Sequence, residues 1–139
     1  MTPDGLMTLP SSFDPKETAN RLSAAVAARG MTVLARIDHA AAAAKVGMEL
    51  RPTEVLIFGN PKGGTPLMQQ SQTIGIDLPL RALIWQDEGG KTWLAYNDPE
   101  WLAKRHGAET GTGTVIATMT ATLRAVAKEA TTPNNGNAG

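Results

Sequence analysis

Apolar side chains recur with two different spacings along this chain. From about Pro15 to Arg29 they fall three and four residues apart, at Ala19, Leu22, Ala25 and Val26, which is the buried stripe of an amphipathic helix. Asp14 is its N-cap, Pro15 takes the first helical position, Glu17 follows three after the cap, and Gly30 ends it. In "MTVLARID", 31–38, the spacing becomes two. Met31, Val33, Ala35 and Ile37 share one face, Thr32, Arg36 and Asp38 the other, and Leu34 falls out of pattern. That alternation predicts a half-buried strand.

The rest of the chain follows the same two signals. "GLMTL", 5–9, reads as a short first strand, and "HAAAAAKVG", 39–47, as an alanine helix closed by Gly47. "EVLIF", 54–58, is a continuous β-branched and aromatic run, expected for a central strand. "PLMQQSQTIG", 66–75, reads as a helix with Met68 on its inner side. Strands 80–86 and 91–97 flank a turn at Asp87–Gly90 and form a hairpin. Asp98 and Pro99 start another helix, which Gly107 ends after His106. "GTGT", 111–114, is a hinge, and Ile116, Met119, Leu123 and Val126 mark one face of a last helix to about Ala130. This order predicts an α+β domain: about five mostly antiparallel strands with helices packed on one face. One domain over 1–130 and a disordered polar tail over 131–139 complete the expectation.

Composition narrows the function classes. At 139 residues the chain suits a single core. Thirteen basic residues balance thirteen acidic ones, without the basic excess of a nucleic-acid binder or the polybasic run of a membrane-surface binder. The chain has no cysteine, so thiol nucleophiles, disulfides and cysteine-ligated metals are excluded. No stretch reaches the roughly 20 apolar residues that span a bilayer. With no signal-peptide pattern in "MTPDGLMTLPSSFDP", the expected location is cytoplasmic.

The glycine-rich stretch "FGNPKGGTP", 58–66, raises the question of phosphate binding. Gly59 and Gly64 have the spacing of a Walker A motif, but Thr65 and Pro66 stand where Lys and Ser/Thr are needed. A weaker anion site would use the amides of Leu67 and Met68 beside Lys62. The architectural reading is favoured: Asn60–Pro61 turns the chain, Gly63 and Gly64 allow unusual dihedrals, Thr65 caps and Pro66 begins the helix.

His39 is the most informative single residue. It continues the apolar face of the strand before it, and it opens an alanine helix whose start favours the neutral, metal-ligating imidazole. The small side chains Ala40–Ala44 leave room for a flat cofactor, and Arg36, Lys45 and Arg51 are candidate partners for its carboxylates. Iron held by one histidine in an apolar slot is a workable haem site. The competing reading is a core-edge histidine bonded to a carbonyl or carboxylate. His106, in a helix's last turn, reads as a partner of the helix dipole. With two histidines and no "HExxH", a zinc site is not expected. The tryptophans Trp85, Trp93 and Trp101 suit a core first and a dimer surface second.

"ARIDHA" at 35–40, "ELRPTEVLIFGNPKGGTPLM" at 49–68, "DLPLRALIWQDEGGKTWLAYNDP" at 77–99 and "RHG" at 105–107 resemble the bacterial family called "domain of unknown function 302". The likeness covers about residues 5–130. It implies a small α+β domain that tends to dimerise, in a family some of whose members are thought to bind haem. It carries over no catalytic residues. Three readings follow: a dimeric domain binding an apolar or metal-bearing ligand such as haem through His39, a dimeric interaction or regulatory module without a ligand, and an enzyme acting on a small anion at the 59–68 loop.

Overall fold

A computed structural model describes residues 2–133. Five strands form one antiparallel sheet in the order β1-β5-β4-β3-β2. They are β1 Leu6–Ser11, β2 Thr32–Asp38, β3 Thr53–Gly59, β4 Leu80–Gln86 and β5 Thr92–Asn97. The helices are α1 Pro15–Ala28, α2 His39–Lys45, α3 Pro61–Gln70, α4 Pro99–His106 and α5 Gly113–Thr131, with a 3-10 turn at Gln72–Ile76. The expected α+β class and five-stranded sheet are therefore present.

The sheet's two faces differ because each strand alternates. One carries Leu56, Phe58, Ala82, Ile84, Leu94 and Tyr96, all buried under α1 and α5. α1 contributes the expected stripe, Ala19, Leu22, Ala25 and Val26, and α5 contributes Ile116, Met119, Leu123 and Val126. At about 25 cal/mol per Å² of apolar surface removed from water, this layer is the main source of stability. On the opposite face, Val55, Ile57, Leu83, Trp85 and Trp93 are only half-buried.

Two local details differ from the sequence expectation. A bulge between Val33 and Ala35 takes up Leu34, so Val33 lies beside Phe58 and Ala35 beside Ile57. Phe58 and Ile57 point to opposite faces, so Met31–Ile37 do not share one face. The bulge inserts one residue and reverses the alternation beyond it. The second difference is at the glycine loop. α3 begins at Pro61, with Asn60 as N-cap accepting from the Lys62 amide at 2.9 Å. Gly63 and Gly64 lie in its first turn without positive φ, Thr65 does not cap it, and Pro66 stands inside it. Asn60–Pro61 and Thr65–Pro66 both offer a cap followed by a proline, and the helix uses the earlier pair.

The last helix runs through Thr131, which is buried, and the Thr131 carbonyl accepts from the Ser12 amide at 2.8 Å. Of the tail expected over 131–139, residues 134–139 lie outside the described residues.

Candidate ligand-binding cavity

The glycine stretch borders a cavity among the described residues. It holds about 790 Å³, within the usual range of small-molecule pockets. Its walls come from the end of β3, the first turn of α3, the start of β2 and the first three turns of α5. α3 passes close to α5 at Gly63: a Cβ there would lie 3.3 Å from Met119 Cε and would crowd that side chain. Pro66 has no N–H to offer the Lys62 carbonyl one turn back, which loosens the helix beside the opening.

The lining is mainly apolar, with Met31, Met68, Leu78, Leu80, Val115 and Met119. Hydroxyls on α5 come from Thr114, Thr118 and Thr122, a stripe at four-residue spacing beside Val115 and Met119. No aromatic side chain, histidine or carboxylate is among the lining residues. Two cations are, Arg29 and Lys62. Arg29 is bound by the Glu129 carboxylate through both guanidinium nitrogens, and that hydrogen bonding holds it above its usual pKa. No carboxylate pairs with Lys62 among the described residues.

The structure places the expected site residues in separate locations. Lys62 and Met68 line the cavity, whereas Leu67 points into the core. Leu67 and Met68 sit in the second turn of α3, where amides bond carbonyls of the turn before. His39 is exposed at the start of α2, away from the cavity lining. Its neighbour Asp38 caps α2 by accepting from the Ala41 amide at 2.9 Å. Arg36 donates to Glu54 at 2.8 and 3.2 Å and to Asn20 at 3.0 Å. The Glu54 hydrogen bonds raise its pKa. Arg51 donates to the Gln86 carbonyl at 3.3 Å, and Lys45 is exposed in the last turn of α2.

One polar cluster had no separate signal in the sequence. His106 Nε2 lies 2.6 Å from Asp77 Oδ2, and its Nδ1 lies 2.9 Å from Thr73 Oγ1. Arg105 donates to the same Asp77 oxygen at 2.7 Å. The order hydroxyl–imidazole–carboxylate matches a nucleophile relay on paper. None of the three lines the cavity, and the cluster joins α4 to the 3-10 turn. The α5 threonine stripe was the legible signal for the cavity: it is a second periodic face beside the core stripe, which by itself reads as solvent.

This is a small α+β domain with a preformed apolar cavity. It belongs to the family described as "Domain of unknown function DUF302", which matches residues 7–126. The fold is similar to that of a crystal structure of an uncharacterized conserved DUF302 protein from Bacillus stearothermophilus. That likeness has a TM-score of 0.80 at 19% identity and covers 92% of this chain and 99% of the other. Among curated proteins, the chain is 49% identical over 122 residues to "Fluoride-specific ion channel FluC 1" of Brucella suis biovar 1 (strain 1330), covering 80% of this chain and 48% of the relative. The same identity holds for "Fluoride-specific ion channel FluC 2" of Brucella melitensis biotype 1, covering 45% of it. The chain thus spans about half the length of the curated relatives it matches. No helix among the described residues is long and apolar enough to cross a membrane.

Proposed function

We propose that this chain is a self-associating domain that binds a small, largely apolar molecule in the cavity between α3 and α5. The observation that carries this reading is the cavity itself: about 790 Å³ of mainly apolar space, bordered by a few convergent polar groups. Its test is titration with an environment-sensitive fluorophore, on the wild type and on Thr118→Trp. Thr118 is exposed on α5 and faces the opening, so an indole there fills the space with little cost to the core. Saturable enhancement in the wild type, lost in Thr118→Trp, is the expected result. Equal enhancement in both counts against the cavity as the site.

Haem held through His39 is the alternative location for a ligand. It places the cofactor at α2, where His39 is exposed and Arg36 is engaged by Glu54. A Soret band on haem titration that His39→Ala removes and His106→Ala keeps would move the site there.

The curated relatives favour a second reading, that of a regulatory module. Their names describe a channel, and a channel needs elements that cross a membrane. The matching segment covers less than half of each, and no helix among the described residues of this chain is long and apolar enough to cross a membrane. The shared half is then an appended domain, whose cavity senses a ligand on behalf of a membrane partner. Deleting the matching segment from the Brucella suis relative should leave fluoride conduction while altering its regulation. Loss of all conduction in a correctly inserted protein would argue against an appended role.

A further inference from the structure

We propose that the cavity's ligand is an aliphatic monoanion: a flexible hydrocarbon body carrying a single carboxylate-type head that pairs with Lys62. This rests on the ligand-binding reading above and names the class of molecule it takes.

The body follows from the walls. Three of the lining residues are methionines, Met31, Met68 and Met119, whose unbranched side chains adjust to a variable shape. The lining has no aromatic ring on which a planar ligand could stack. A nucleobase or porphyrin would find neither a stacking partner nor an imidazole there. A hydrocarbon chain needs neither, and gains by leaving water.

The head follows from the charges. The lining has two cations and no carboxylate. Glu129 neutralises Arg29, so of the two lining cations Lys62 is the one with no carboxylate paired to it among the described residues. One uncompensated positive charge at an apolar opening selects one negative charge. α5 adds to this selection. Its first turn reaches the cavity at Thr114 and Val115, and its N-cap Thr112 gives its hydroxyl to the Ala108 carbonyl instead of to the helix amides. A helix start without a side-chain cap, bordering the same cavity as Lys62, favours the same sign of charge.

The test compares three probes of equal chain length on the full chain: dodecanoate, dodecanol and dodecylammonium, each below its aggregation concentration, by displacement of the fluorophore. Dodecanoate should bind about tenfold tighter than dodecanol, the scale of one charge-assisted contact, and dodecylammonium weakest. Lys62→Glu should remove the advantage of dodecanoate while dodecanol binding persists, which also shows that the variant is folded. Lys62→Arg should keep the advantage. Equal affinity for dodecanoate and dodecanol in the wild type overturns the anionic head. Displacement of the fluorophore by none of the three overturns the aliphatic class while leaving the cavity as a site. Failure of the fluorophore itself to respond to Thr118→Trp overturns the underlying reading.

Discussion

Gly5 shows how much one residue can fix. Its φ is +77°, in the left-handed region, and a Cβ built on it would lie 2.3 Å from Trp101 Cδ2. The Trp101 ring packs directly over this backbone, and the Gly5 carbonyl accepts from the Asp98 amide at 2.7 Å. Gly5→Ala would therefore meet both a conformational cost and a steric one. The expected loss is about 2–4 kcal/mol, read from urea unfolding. A loss below about 1 kcal/mol would mean that Trp101 moves aside freely. Sequence could not place this contact, because Gly5 and Trp101 are far apart in the chain and a glycine before a strand reads only as a turn. The exposure of His39 has a related cause: the alternation that would set it on the face of Met31 and Val33 is broken by the bulge at Leu34, the one residue out of pattern.

At the scale of elements, the β4–β5 hairpin was legible almost to the residue, because its turn chemistry is local. Asp87 organises the turn. Its Oδ1 accepts from the Gly89 and Lys91 amides at 3.0 and 2.9 Å, and its Oδ2 accepts from the Trp93 indole at 2.8 Å. The indole hydrogen bond first, then the amide of Lys91, holds its pKa below the usual aspartate value. A carboxyl whose folded pKa is depressed contributes stability above its unfolded pKa and loses it as pH falls through the folded one. Asp87→Asn should therefore be less stable than the wild type near neutral pH, and the gap should close below about pH 4. Unfolding midpoints from pH 7 down to pH 2 measure this, and a gap that stays constant would show that the charge contributes nothing. The start of α3 was less legible. Asn60 and Thr65 both suit a cap, and Pro61 and Pro66 both suit a first position. Local signals do not separate the two, and the surroundings of the helix start, such as Met119 near Gly63, come from a segment more than fifty residues away.

At the scale of the whole molecule, the helical layer lies on one side of the sheet and the other side is only partly covered. α1 and α5 bury one face, while the other carries Ile37, Val55, Ile57, Leu83, Trp85 and Trp93 half-buried or exposed. Trp85 and Trp93 are directly paired across β4 and β5, with ring centroids 6.3 Å apart. The one-sided layering was legible in the alternation of the strands, but the choice between core and interface for the tryptophans was not. It depends on which face the helices take, and a strand's own pattern is the same for either. Trp101 packs against the core, whereas Trp85 and Trp93 lie on the open face. A half-open sheet face with two tryptophans among its apolar residues is the kind of surface that protein interfaces bury. A second copy fits it best, because a two-fold axis through the face would set the same residues of both copies against each other. Sedimentation at roughly tens of micromolar should then give a dimer. Ile57→Glu and Trp85→Glu should each give a monomer with unchanged far-ultraviolet circular dichroism, since neither side chain touches the α1–α5 layer. Thr118→Trp, at the cavity on the other side of the sheet, should leave the dimer intact. A wild type that sediments only as a monomer, or glutamate variants that still dimerise, would remove the open face as the interface.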